Sequence, residues 1–240
     1  MRTSQFIDRL LQPLERKLDY HAICQCSDET SGNFYDFIPL PQNRLALSMG
    51  NLPQTAGSIT ISGMQAITRG LAVCERNPAS LACELNFTHH LLGPTGFCTQ
   101  WFYAAIDPER NELKYVNAGH NSPFLIQRKG RLLRRLDPTG AALGLSQRSS
   151  YRHGLATVES GDILVAPSDA IADALSETEI LVLVRGNLNA CAAELARILI
   201  EQSGAPRCHE DRSVAVVRVI CIARQVVLRT SVEEVAPAAA

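Results

Sequence analysis

No C-x-x-C pair occurs in the 240 residues, although eight cysteines do: Cys24, Cys26, Cys74, Cys83, Cys98, Cys191, Cys208 and Cys221. Cys24, Cys26, Cys208 and His209 lack the spacing of a zinc motif, so the thiols are read as reduced, buried and apolar. No basic, apolar, small-residue leader occupies Arg2–Leu18. The longest apolar stretches, such as 213–223, contain Arg218 or end well short of the ~18 residues a spanning helix needs. An excess of one charge is missing too. Lys plus Arg number 23 against 24 Asp plus Glu, a net charge of −1 that gives no broad reason to bind nucleic acid or an anionic membrane. What remains is a cytoplasmic chain of 26.2 kDa, 46% hydrophobic. That is enough for one domain with a full core, with a protein or a small anion as its ligand.

The hydrophobic period switches several times along the chain. Phe6, Ile7, Leu10, Leu11, Leu14 and Leu18 recur at helical spacing, which predicts an amphipathic helix over 1–20 that Pro13 kinks or divides. "NFYDFIPLP" and "RLALSMG" read as strands, the second with Leu45, Leu47 and Met49 inward and ending at Gly50. Residues 57–76 and 78–92 read as helices, the second capped by Asn77 with Pro78 at its first position. Thr99–Gln127 reads as a hairpin turning at Asp107–Asn111, and the five basic residues in 128–136 as a polar hairpin tip. "GDILVAPSDA" predicts a buried strand ending in a Ser-Asp turn. Residues 187–204 predict a helix capped by Asn187 or Asn189 and closed by Gly204, and 212–222 a last strand. Helices come in blocks rather than in alternation, so the class is α+β. The organisation expected is a helix at 1–20, one domain at 21–222, and a partly disordered tail at 223–240.

"NFYDFIPLPQNRLALSMGN", "FYAAIDPERNELKYVNAGHNSPFLI", "PTGAALGL", "GDILVAPSDA" and "EDRSVAVVRV" follow one another from about Cys24 to about Val219. This order resembles the SpoIIE/RsbU-type branch of the PPM metal-dependent serine/threonine phosphatases. "YVNAGHNSP" and "PTGAALGLS" carry most of the specificity. The resemblance implies an αββα sandwich: two antiparallel sheets flanked by helices, with two Mn²⁺ or Mg²⁺ ions at one end. Their bridging hydroxide would attack phosphoserine or phosphothreonine.

Hard divalent ions take oxygen ligands, prefer charged ones, and acidify a bridging water to a nucleophile near neutral pH. The family draws these ligands from the Asp of a "GGDFYDF"-like stretch, of "GDVSGHG", of "TDG" and the first of "DDVT". The matching positions are Asn33, Asn51, Asp169 and Glu210, with Asp211 beside the last. Two carboxylates are amides and one is longer by a methylene. Two unit charges ~4 Å apart interact by about 4 kcal/mol at an effective dielectric of ~20, so each lost carboxylate costs an ion roughly a thousandfold in affinity. The "SGHG" turn is replaced by Pro53, Gln54, Thr55 and Ala56, which restrict close backbone approach.

Each position also has a plainer reading. Asn33 and Asn51 beside Gly32 and Gly50 are ordinary turn residues, Asp169 is a cap, and Glu210-Asp211 is a solvated acidic pair. His120 in "NAGHN" is a loop-stabilising histidine. The resemblance nonetheless groups Asp169, Glu210 and Asp211 as a residual ligand set and Asn33 and Asn51 as degraded ligands, with Asp36, Gly50, Asn117, Gly119, His120 and Asn121 as binding-surface residues. No catalytic residue is assigned, and binding of Mn²⁺ or Mg²⁺ is expected to be weak or absent. The expected function is a pseudophosphatase that binds a protein in bacterial partner switching, such as a STAS-like anti-sigma-factor antagonist. A weakly active phosphatase and a dimerising module built on the N-terminal helix are the alternatives.

Overall fold

Residues 17–25, 32–53, 60–75, 77–94, 96–127, 133–204 and 211–220 are described by a computed structural model of the chain. The strands are β1 (Leu18–Gln25), β2 (Asn33–Leu40), β3 (Arg44–Asn51), β4 (Gln100–Asp107), β5 (Glu112–Ala118), β6 (Phe124–Ile126), β7 (Leu133–Arg135), β8 (Gly154–Thr157), β9 (Ile163–Pro167) and β10 (Arg212–Val219). The helices are α1 (Ile61–Cys74), α2 (Pro78–Leu92), α3 (Asp169–Ala174), α4 (Glu177–Gly186) and α5 (Ala192–Gln202). One antiparallel sheet runs β1-β10-β9-β6-β7 and the other β2-β3-β4-β5-β8.

Three apolar layers hold the αββα sandwich. Between the sheets lie Leu45, Leu47, Met49, Phe102, Ala104, Leu164, Ala166, Ala215 and Val217. The alternate residues of the same strands turn outward: Ala46, Trp101 and Tyr103 pack under α1 and α2, while Val165, Val214 and Val216 pack under α3, α4 and α5. Central strands are therefore apolar on both faces, and polar groups among them need internal partners. The Trp101 indole donates to Ser48 Oγ at 2.9 Å.

The two helices of one outer layer start where side chains can take the free N–H groups. Thr60 Oγ1 accepts from Gly63 at 3.0 Å and Asn77 Oδ1 from Ala79 at 3.0 Å, so the first helix runs 61–74 rather than 57–76. Ser176 and Glu179 form a reciprocal capping box on α4, an element that the periodicity did not predict. The helix expected over 187–204 is shorter and starts differently. Asn187 closes α4, Cys191 stands at the N-cap of α5, and Asp19 of β1 reaches across to accept from Ala192 N at 2.8 Å.

Three further expectations are corrected. Leu18, placed on the N-terminal helix, opens β1 and is buried between the sheets, so the domain begins before residue 21. The hairpin expected over Thr99–Gln127 ends at Ala118; the next strand, β6, pairs with β9 in the opposite sheet because "GHNSP" carries the chain across. Cys74, Cys83 and Cys191 are exposed thiols, not buried ones. Residues 1–16, positions 54–56 of the turn expected at 53–56, positions 128–132 of the expected tip, Cys26, Cys208, His209, Glu210, Cys221 and the tail 223–240 lie outside the described residues. No helix among those described is long and apolar enough to cross a membrane.

Gly50 shows how tightly β3 is held. A Cβ there would stand 2.5 Å from the Gln100 carbonyl oxygen and 2.9 Å from Phe34 Cζ. Backbone on one side and a core ring on the other leave no room to relax. Gly50→Ala is expected to lower unfolding stability by about 1–3 kcal/mol, read as a reduced urea midpoint at unchanged slope.

Candidate functional site

The strand ends converge at one end of the sandwich. β2 starts at Asn33, β3 ends at Asn51 opposite it, β4 starts at Gln100 beside Asn51, β9 runs into Ser168, and Asp211 precedes β10. Asn33 shares strand parity with Tyr35 and Phe37, and Asn51 with Met49 and Leu47, so both amides project into the space between the sheets. There they bond. Asn51 Nδ2 donates to Asn33 Oδ1 at 2.8 Å, and Asn33 Nδ2 donates to the backbone carbonyl of Asp211 at 2.9 Å. The chain of amides ties one sheet to the other.

A cavity of about 260 Å³ opens beside this tie, lined by Asn33, Asn51, Gln100, His120, Ser168, Asp169, Ala170, Asp173 and Asp211. Five sequence-designated positions thus meet: Asn33, Asn51, His120, Asp169 and Asp211. Asp169 is the first residue of α3, after N-cap Ser168, whose Oγ accepts from Ser213 N at 3.0 Å. Sequence reading missed Gln100, Ser168 and Asp173. Asp173 had a signal, since it stands four residues after Asp169 on a helix and so on the same face.

Asp36 sits elsewhere. Its parity turns it under α1, where both carboxylate oxygens accept from Arg69, through Nε at 2.6 Å and through Nη2. Gly50 faces the same layer against Phe34. Asn117, Gly119 and Asn121 shape the loop that carries His120. Asn117 Oδ1 accepts from His120 N at 2.9 Å, its Nδ2 donates to Leu136 O at 3.0 Å, and its carbonyl accepts from Thr139 N and Gly140 N. Gly119 takes φ +75°, with Ala142 3.2 Å from where a Cβ would lie. "NAGHN" and "PTGAALGL" are thus one interlocked unit.

His120 is 5% exposed, and its Nδ1 bonds Asn121 O at 2.7 Å. A carbonyl only accepts, so Nδ1 carries the proton and Nε2 keeps its lone pair when the ring is neutral. Burial holds its pKa below the usual histidine value, opposed by the Asn121 bond and the charge of Asp169.

The sequence matches the profile described as Stage II sporulation protein E (SpoIIE) over residues 55–220. The chain belongs to the SpoIIE family. It is 24% identical over 170 residues to the phosphoserine phosphatase RsbU of Bacillus subtilis, covering 70% of this chain and 51% of that protein. To protein IcfG of Synechocystis it is 32% identical over 103 residues, 43% of this chain and 16% of that one. It therefore spans about half of one curated relative and a small part of the other. Solved SpoIIE-type neighbours share the fold. The RsbU and RsbW domains of a Mycobacterium tuberculosis protein match at TM-score 0.69 and 16% identity, over 85% of this chain and 62% of that one. The PP2C phosphatase domain of Bacillus subtilis SpoIIE with a regulatory fragment matches at 0.68 and 14%, over 85% and 64%. This SpoIIE-family chain thus has the PP2C phosphatase fold.

Phosphatases of this type generally use Mn²⁺ or Mg²⁺. Of the four ligand positions implied for this SpoIIE-type chain, two are amides, Asp169 is a carboxylate, and Glu210 lies outside the described residues. Among the latter, no three His, Cys, Asp or Glu side chains are grouped to hold an ion.

Two outcomes follow from the amide tie and the buried ring. Asn33→Asp places a carboxylate against the Asp211 carbonyl, with nothing to donate. It should cost about 1–3 kcal/mol near neutral pH, and the loss should shrink below about pH 4, where the neutral acid can donate again. Chemical denaturation of both proteins at pH 7 and pH 4 measures this. For His120, a folded pKa below the unfolded value of about 6.5 gives stability that is complete above that pH and lost as pH falls through the folded value. Melting temperatures from pH 7.5 to 5 should fall, and less steeply in His120→Gln.

Proposed function

We propose that the chain is a pseudophosphatase, a cytoplasmic regulator that keeps the phosphatase fold to bind a protein in partner-switching signalling and has lost the hydroxide-generating ions. The observation that carries this reading is the bond from Asn33 Nδ2 to the Asp211 carbonyl. A ligand carboxylate cannot make it, and an amide that does has its N–H committed to the structure. The residues present do not fit a binuclear centre, because Asn33 Oδ1 already accepts from Asn51 and both positions are neutral. Support for a protein partner comes from relatives: one solved neighbour joins RsbU and RsbW domains, and another is described as part of the bacterial stressosome. A STAS-like anti-sigma-factor antagonist fits that setting. Self-association through residues 1–20 is compatible with it.

A weakly active, one-ion phosphatase is the second reading, favoured by Asp169 and Asp211 lining the same cavity. The two readings separate in one experiment. With excess Mn²⁺, hydrolysis of p-nitrophenyl phosphate and of a phosphoserine peptide should be absent or at least about a thousandfold below that of an intact binuclear enzyme. EDTA should leave the melting temperature unchanged. Robust Mn²⁺-dependent turnover, or a drop of several degrees with EDTA, would establish the one-ion enzyme instead.

A further inference from the structure

We infer that the cavity at the end of the sandwich is a receptor for an arginine side chain of the partner protein, an inference that rests on the pseudophosphatase reading. A phosphate-processing site needs cations, yet among its described lining residues there is no lysine or arginine. The lining instead collects hydrogen-bond acceptors and negative charge. Asp169 and Asp173 stand one turn apart on α3 and both border the cavity. Neither has an ion-pair or hydrogen-bond partner among the described residues.

The second, independent feature is His120. Its ring is buried, its Nδ1 is committed to Asn121 O, and no described residue bonds Nε2, while the residue lines the cavity. An imidazole nitrogen at the cavity wall is an acceptor that a ligand donor or water can meet. Asn51 contributes an amide oxygen to the same space: its Nδ2 is used on Asn33, and no described residue donates to its Oδ1.

A guanidinium answers this set better than an ammonium does. Its five N–H groups lie in one plane and fork, so it can meet a carboxylate edge-on while its remaining donors reach the imidazole and the amide oxygen. It is also the more weakly hydrated cation, and loses less on entering a half-closed cavity. The end of the fold that meets phosphoserine in a working enzyme would here recognise the opposite charge.

The test is a titration of the full chain, carrying ¹⁵N-labelled histidine, with N-acetyl-arginine amide. The neutral isostere N-acetyl-citrulline amide, N-acetyl-lysine amide and N-acetyl-phosphoserine amide are run in parallel. The arginine probe should shift the His120 Nε2 resonance saturably and more tightly than lysine, and citrulline should have no effect. Asp173→Asn, an exposed change that leaves the fold intact, should weaken binding about fivefold, and Asp169→Asn together with it should weaken it further. Equal binding of citrulline, tighter binding of lysine or phosphoserine, or saturation without movement at His120 would each overturn the inference. Mn²⁺-dependent turnover would overturn the pseudophosphatase reading and this one together; no turnover and no arginine binding would overturn this one alone.

Discussion

Two sheets can be held face to face by apolar packing along their length, but at the ends, where water enters, something polar must fasten them. In this chain the fastener is the run of two hydrogen bonds from Asn51 through Asn33 to the backbone of Asp211. Both amides occupy positions that the family resemblance assigns to carboxylates. Four carboxylates gathered without cations repel one another, and their pKa values rise in consequence. Amides avoid that conflict because each carries both a donor and an acceptor, so they can bond to each other and to a carbonyl with no ion present.

The loops around the cavity show the same economy of parts. Asn117 is fully buried and uses its carbonyl, amide oxygen and amide nitrogen on His120, Leu136, Thr139 and Gly140. On the far side of the 139–151 segment, Asn86 of α2 holds Gly144, Ser146 and Tyr151 in the same way. Two buried asparagines, one under each side, fix a long stretch that has little regular structure of its own.

Much of the fold was legible in the sequence because period and caps agreed. The strands flanking residues 43 and 111, the Asn77-Pro78 helix start and the apolar runs of β9 and β10 were all readable locally. What was not legible depends on distance. Nothing near Ala192 signals that its N–H is accepted by Asp19, and the jump of "GHNSP" from one sheet to the other is set by the loop-to-loop bonds of Asn117, not by periodicity. In the candidate site, Asn33, Asn51, His120, Asp169 and Asp211 were found as a group through motif order. Asp36 was drawn in by the same order, although its place on the other face of β2, under α1, follows from strand parity alone. Gln100 escaped notice because its place depends on which strand lies beside Asn51, and sequence order does not disclose that neighbour.

The hub at Asn117 also bears on motion. Four contacts from one residue mean that the loop carrying His120 and the segment at 136–140 have no independent open states: breaking Asn117 out of place releases the amide protons of His120, Thr139 and Gly140 at once. Those protons then belong to a single cooperative opening unit, and the wall of the cavity breathes as one piece together with a stretch of chain nearly twenty residues further on.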